Sequence, residues 1–294
     1  ITLALRGKWY GGSGGYGLAF CPAHANTRTP ALRIATGRDG RLLLLCSAGC
    51  AFADVLAALR GMGLVDGNGR APEPNPAAEA RREAEERRER EKGIRRARHA
   101  WGEAGSIAGT LAERYLRARA IRCDLPASLR FASAAWHASA RRLPAMVAAV
   151  ALDGEPEPVA VHRTYLAEPG RKAAVEPNRA MLGPCRGGAV RLSTGAGPLV
   201  IAEGVETALS LRDALAAHDP RVRAALSTSG IAGLRLPPEP GELVIAPDGD
   251  GPGRAAADTL ARRAQALGWA VSLMPCPDGR DFNDIAMEAA YERA

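Results

Sequence analysis

No part of this 294-residue sequence stays apolar for long. Its longest hydrophobic runs, Ala145–Leu152, Pro198–Ala202 and Leu42–Leu45, fall far short of the roughly 18 residues a membrane-spanning helix needs. A transmembrane protein is excluded on that ground, and no membrane partner is expected. The N-terminus also lacks a basic start followed by an apolar stretch and a small-residue cleavage site, so no signal peptide is read and a cytoplasmic location is expected. The chain begins with Ile1 rather than Met, as a fragment of a longer protein would. Lysine is nearly missing: of 39 basic residues only Lys8, Lys92 and Lys172 are not Arg. Cysteine is sparse, at six in the whole chain, and without a secretory signal these argue against a disulfide scaffold and for metal binding or catalysis.

What is present describes a globular protein: hydrophobic residues make up 47% and charged residues 24%, within the range of folded soluble domains. The length implies two or three domains. A net charge of +7 hints at a polyanionic partner, without bearing on the fold.

The chain divides into residues 1–65, 66–98, 99–195 and 196–294. Asp66–Pro76 is dense in Gly, Pro and Asn and reads as an extended linker. From Ala77 to Arg98 the sequence is almost all Ala, Glu and Arg, with Glu83–Arg87, Glu86–Arg90 and Glu91–Arg95 at i,i+4. These pairs favour a solvated helix, read as a spacer between domains. Leu143–Leu152 and Val159–Leu166 read as two strands joined by a turn. From Pro198 onward, apolar strands at Leu199–Ala202, Arg223–Leu226, Leu243–Ala246 and Ala270–Met274 alternate with helices near Glu206–Ala217, Pro252–Leu267 and Asn283–Ala290. That alternation predicts an α/β domain with a mainly parallel sheet.

Cys21-Pro-Ala-His24 and Cys46-Ser-Ala-Gly-Cys50 form two pairs of soft ligands, each on a tight turn. Thiolate and imidazole donors in this pattern close a tetrahedron around Zn2+. A hairpin of Ala31–Ala35 and Arg41–Leu45 would bring the pairs together, and Gly49 supplies freedom in the second turn. Four protein ligands leave no open position, so the zinc is structural. Trp9, Tyr10, Tyr16 and Phe20 precede the first ligand. Beside the module's arginines they would either stack the bases of single-stranded nucleic acid or form the module's own core. Gly12-Ser-Gly14-Gly-Tyr-Gly17 matches the dinucleotide-binding pattern literally, but no βαβ unit surrounds it and that reading is rejected.

Three acidic positions follow predicted strands. Leu199-Val-Ile-Ala-Glu203-Gly204 ends a strand in a carboxylate, where open α/β sheets bind ligands. Leu243-Val-Ile-Ala-Pro-Asp248-Gly-Asp250 repeats the arrangement; in an extended stretch Asp248 and Asp250 would point the same way and share a Mg2+ or Mn2+ ion. Asp281, in Asp278-Gly-Arg-Asp281-Phe-Asn283-Asp284, is either a third metal-site group or a helix N-cap.

Glu203-Gly204 on one strand and Asp248-x-Asp250 on a later one resemble the Toprim signature of bacterial-type primases, topoisomerases and certain nucleases. The Cys21/His24/Cys46/Cys50 module resembles the zinc-binding domain that opens bacterial-type and phage or plasmid primases. Glu203-Gly-Val-Glu-Thr-Ala-Leu-Ser210 looks most like the Toprim domain of mobile-element primases, including those fused to helicases. The resemblance implies a zinc ribbon (1–65), a linker with a charged helix (66–98), a mixed α+β primase-core subdomain (99–195) and a Rossmann-like Toprim domain (196–294). It further implies synthesis of RNA primers on a single-stranded DNA template from nucleoside triphosphates. Asp248 and Asp250 would hold Mg2+ or Mn2+, Asp281 would assist, and Glu203 would bind metal or act as acid/base. Arg163 and Lys172 would face template and nucleotide, Trp9 would contact template, and a replicative helicase, fused or separate, would be the partner. Thr207 and Asn283 depart from the pattern, each standing where bacterial replicative primases carry Asp. A Toprim nuclease and a single-stranded-DNA-binding adaptor for a helicase are the alternatives.

Overall fold

Short apolar segments with alternating outward residues build the N-terminal sheet of the protein. The computed structural model describes residues 1–11, 15–25, 29–37, 41–66 and 76–293, without the side chains of 76–79 and 82. The Gly-rich turn at 12–14, the hairpin turn at 38–40 and most of the expected linker (67–75) lie outside the described residues. The chain separates into two units, residues 1–83 and 84–294.

In the first unit, β1 (Lys8–Tyr10), β2 (Tyr16–Ala19), β3 (Leu32–Thr36) and β4 (Leu42–Cys46) form an antiparallel sheet in that order. The expected hairpin is β3–β4, with Leu32 opposite Cys46 and Thr36 opposite Leu42. Leu32, Ile34, Leu42 and Cys46 point inward while Arg33, Leu43 and Leu45 point out, the period-2 alternation of a half-buried sheet. Helix α1 (Phe52–Gly61) lays Val55 and Leu59 into the core with Leu5, Ala19 and Ile34. β1 and β2 were not expected, because strands of three and four residues in a Gly-rich stretch carry too little pattern.

Helix α2 runs from Pro76 to Glu103, longer than the Glu/Arg pairs alone predict. Its charged middle is exposed as a spacer's would be, but the last two turns bury one side. Ala97 is fully buried and, with Ala100 and Trp101, packs on Val147 and Val161. The apolar spacing of these residues makes this end part of the fold of the second unit.

That unit continues with α3 (Leu111–Arg117), β5 (Leu129–Trp136), β6 (Arg142–Ala151), β7 (Ala160–Ala167), β8 (Arg171–Lys172), β9 (Arg179–Leu182) and β10 (Ala189–Arg191). The C-terminal part follows as β11 (Leu199–Ala202), α4 (Val205–Ala214), β12 (Arg221–Ala224), α5 (Thr228–Gly233), β13 (Glu242–Ala246), α6 (Gly251–Ala266), β14 (Ala270–Leu273) and α7 (Phe282–Tyr291). One sheet runs through both parts in the order β14-β13-β11-β12-β10-β6-β7-β8, with β5 and β9 paired to β6 and β7. The four C-terminal strands pair parallel, as expected of this α/β region; β10 joins them antiparallel to β6. β12 lies two residues earlier than its expected Arg223–Leu226. It gains Arg221 and Val222, which pair with Leu199 and Val200 of β11, and ends before Leu226, whose φ of +71° is left-handed; Arg223, its guanidinium held by Asp153 at 2.7 Å, stays within it.

Strand β11 divides the core. Val200 and Ala202 face α4 with Val205, Ala208 and Leu209, and Leu199 and Ile201 face α5 and α6 with Ile231, Leu243 and Leu260. Burying each of the Val, Leu and Ile side chains among these contributes about 1.5–3 kcal/mol. Because α4 leaves β11 toward one face and α6 leaves β13 toward the other, a crevice opens between these neighbouring strands at their carboxyl ends. Among the described residues no helix is long and apolar enough to cross a membrane.

Candidate functional site

In the first unit, Cys21, His24, Cys46 and Cys50 come together with their ligand atoms all within 4.8 Å of one another. Among the described residues this is the one set of three or more His, Cys, Asp or Glu that converges so closely. Cys46 ends β4 and Cys21 follows β2 after Phe20, so the sheet register delivers both thiols to one end. Gly49 turns the second knuckle with φ +87°, a left-handed conformation that a side chain would strain. His24 Nδ1 lies 3.1 Å from Cys50 Sγ and 3.7 Å from Cys46 Sγ. Burial opposes ionisation of Cys46, yet the backbone N–H groups of Cys50 and Ala48 point at it and hold its pKa below that of an ordinary thiol. Three thiols and an imidazole this close fit a tetrahedral soft metal ion.

The second unit places the acidic residues around the crevice. Glu203 directly follows β11, Asp248 and Asp250 follow β13, and Asp281 follows β14. The stretch from Asp248 to Asp250 is turned rather than extended, because Asp250 N–H donates to Asp248 O at 2.8 Å. Gly249 sits against the neighbouring loop: its N–H donates to Arg280 O, and a Cβ there would lie 1.9 Å from Pro277 O. This close approach stitches the β13 and β14 loops together. Asp250 caps α6, accepting from Gly253 N–H at 2.6 Å. Asp281 forms a capping box with Asp284 at the start of α7, which is the N-cap reading of that residue.

Asp248 is under the most strain of charge. Burial, then Glu203, Asp281 and Asp250, push its carboxyl up to about 7, against the pull of Arg179. Its Oδ1 is buried without a hydrogen-bond partner. Burial and the Asp250 charge also raise Glu203. A divalent cation held by these oxygens would satisfy the orphaned atom and relieve the repulsion, so the donor set fits Mg2+ or Mn2+.

The basic wall expected from the sequence includes one cation that sequence reasoning missed. Arg179 on β9 acts on both Glu203 and Asp248 and pairs with Glu206 at 3.3 Å. Lys172 on β8, which the sequence did single out, is half-buried with its ammonium 4.0 Å from Glu206. No spacing pattern could have found Arg179, one Arg among many. Arg163 lies on the other side of β7 from His162; its guanidinium donates to Trp136 O at 2.7 Å and stands over Tyr165.

The aromatics of the first unit divide by sheet face. Trp9 aligns with Gly17, Ile34 and Leu44 on the core side, though at the edge strand it remains 46% exposed. Lys8, Leu18, Arg33 and Leu45 align on the outer face. There Tyr10 and Tyr16 stack with centroids 5.6 Å apart. The Arg33 guanidinium covers Tyr16 at 4.7 Å and the Lys8 ammonium covers Tyr10 at 5.9 Å. Phe20 is partly buried beside Cys21.

Residues 198–292 match the Toprim domain family, and residues 91–192 match a domain of unknown function (DUF7146). No curated protein matches the chain. Among solved structures, it is similar to the zinc-binding and RNA polymerase domains of the Aquifex aeolicus primase, with 14% identity, a TM-score of 0.43 and coverage of 97% of this chain and 78% of that one. It is similar to a Pseudomonas aeruginosa DNA primase domain at 15% identity and TM-score 0.41, over 68% and 77% of the two chains. For the primase fragment of the bacteriophage T7 primase-helicase protein the values are 15% and 0.37, over 56% and 63%. The strand-end acids Glu203, Asp248 and Asp250 fall inside the matched region, and the C-terminal part of the chain is a Toprim domain.

Proposed function

We propose that the protein is a DNA primase, making RNA primers on single-stranded DNA by metal-dependent nucleotidyl transfer. The observation that carries this reading is the buried, unpartnered Asp248 Oδ1 amid Glu203, Asp250 and Asp281 in a Toprim domain. Mg2+ or Mn2+ held by Glu203, Asp248 and Asp250 would neutralise charge on the attacking and leaving oxygens of the displacement. The chain's own groups supply the rest. Arg179 and Lys172, across from the carboxylates, bind and orient the triphosphate. Where the metal rests on Asp248 and Asp250 alone, Glu203, raised by burial, is instead suited to hold the proton that leaves the attacking 3′-hydroxyl. Zn2+ in the Cys/His cluster holds the first unit in shape, and the stacked Tyr10–Tyr16 face with Arg33 receives template bases.

The test incubates the full chain with a single-stranded template, labelled ribonucleotides and Mg2+ or Mn2+. Short labelled RNA products that depend on template support the reading. Template binding without products would favour the adaptor, and template cleavage the nuclease. A second expectation separates the two aromatic faces. Tyr16→Ala should weaken binding of a labelled oligonucleotide by about 1–3 kcal/mol, measured by fluorescence anisotropy. Trp9→Ala should instead lower the melting temperature of the first unit and leave oligonucleotide affinity nearly unchanged.

A further inference from the structure

Glu206 lies three residues beyond Glu203, on the first turn of α4, but it does not join the acidic crevice. It is 4% exposed, and three groups from three other elements converge on its carboxylate. Tyr115 Oη on α3 donates to Oε1 at 2.5 Å, Arg179 Nη2 on β9 lies 3.3 Å and 3.4 Å from its two oxygens, and Lys172 Nζ on β8 lies 4.0 Å away. Among the described residues neither cation has a second carboxylate within 4.0 Å. The Arg179 side chain is anchored at Glu206 yet remains 43% exposed, and Lys172 remains 26% exposed. Both are therefore tethered from below and open to solvent above.

The anchor is itself braced. Arg119 stacks on the Tyr115 ring at 5.1 Å and donates to Asn283 Oδ1 at 2.8 Å. Asn283, fully buried on α7, donates in turn to Arg119 O and to Ser210 Oγ, and Ser210 Oγ donates to Glu206 O. Asn283, one of the two departures from the replicative-primase pattern, is thus a structural link between α7, α4 and the end of α3. A buried ion network of this extent is seldom the most stabilising way to fill a core. It does fix two long side chains that would otherwise have to be ordered when a ligand binds.

We infer that Glu206 is a positioning residue that holds Arg179 and Lys172 toward the phosphates of an incoming nucleoside triphosphate. This rests on the primase reading. Lys172 is faced by Glu206 from α4, Arg179 from β9, Arg119 from beyond α3, Asp281 from ahead of α7 and His162 from β7. Burial lowers its pKa, Glu206 opposes that, and Arg179 and Arg119 lower it further. Removing the Glu206 charge should therefore let Lys172 lose its proton at a lower pH.

The test measures binding of a fluorescent ATP analogue with MgCl2 to the full chain between pH 7 and pH 10. Glu206→Gln keeps the shape of the side chain and removes its charge. It should weaken binding about tenfold and move the high-pH loss of affinity to lower pH. Adding Lys172→Arg to that variant should restore the high-pH limb, because guanidinium stays protonated. In primer synthesis the nucleotide KM should rise with kcat nearly unchanged. Tyr115→Phe, which removes only the shortest hydrogen bond, should raise the nucleotide KM a few-fold and decides the matter if Glu206→Gln does not fold. Wild-type affinity across the pH range in the folded Glu206→Gln protein, or an unchanged KM in Tyr115→Phe where that is the folded variant, overturns the role of Glu206 while leaving the primase reading intact. A wild-type chain that neither binds the analogue nor makes primers overturns both.

Discussion

Asp248→Asn should abolish metal-dependent nucleotidyl transfer and make the protein harder to unfold in magnesium-free buffer. The two effects share one cause. Losing a carboxylate from the metal site removes charge compensation at the reacting phosphate, a loss of at least about 10²–10³ in rate. In the absence of a divalent cation the same carboxylate is a burden, because burial and then Glu203, Asp281 and Asp250 raise its pKa from 3.8 to about 7. A folded-state pKa above the unfolded one favours the protonated native form. The stabilising contribution is complete below the unfolded value and is lost as pH rises through about 7. Wild-type protein without magnesium should accordingly melt at lower temperature at pH 8 than at pH 5.5, and Asp248→Asn should flatten that slope. Thermal unfolding at several pH values, with and without MgCl2, measures it. If wild type and variant melt in parallel at every pH, Asp248 does not carry the buried charge described.

The second large effect concerns the first unit. Cys46→Ser should reduce bound zinc below about half an equivalent and unfold residues 1–66 while sparing the second unit. Apparent zinc binding free energies in small zinc modules are about 10–16 kcal/mol near neutral pH, and that energy is folding energy. A sheet of four short strands and one helix buries too little apolar surface to stand without it. Cys46 is also the last residue of β4 and sits opposite Leu32 in the core, so its loss disturbs sheet and metal together. Metal analysis and limited proteolysis should show a cleaved N-terminal part beside a resistant fragment beginning within α2. Zinc content and protease resistance equal to wild type would remove the cluster's structural role.

The residues most legible in the sequence were those whose chemistry depends on local spacing. Cys21, His24, Cys46 and Cys50 announced themselves because two short loops preset two ligand pairs. Glu203 and Asp248 were legible because an apolar run leading into an acid marks a strand end. What escaped depended on pairing between distant segments. The orientation of Trp9 follows from the partnering of a three-residue strand with Gly17. The sequence reads Asp250 as extended, but the chain turns at Gly249, where a Cβ would collide with Pro277 O, and hands the carboxylate to the N-terminus of α6. Arg179 gains meaning only because β9 pairs with β7 and brings it over α4. Glu206 carries no role in the sequence reading, because only the helix phase shows it turned away from the crevice and into a buried ring of donors.

Strand β10 has a consequence for how the two matched regions can be inherited. It lies in the first of them, residues 91–192, but its Val190 and Arg191 lie opposite Ala224 and Arg223 of the Toprim domain. Cutting the chain between the two regions would strip β12 of its partner on that side and leave a bare strand edge, the surface on which sheets recruit foreign strands and aggregate. A Toprim domain of this kind therefore cannot be shuffled alone without a replacement strand to close its border. The unit that evolution can move intact is the whole sheet, with its cationic wall and acidic crevice already facing one another.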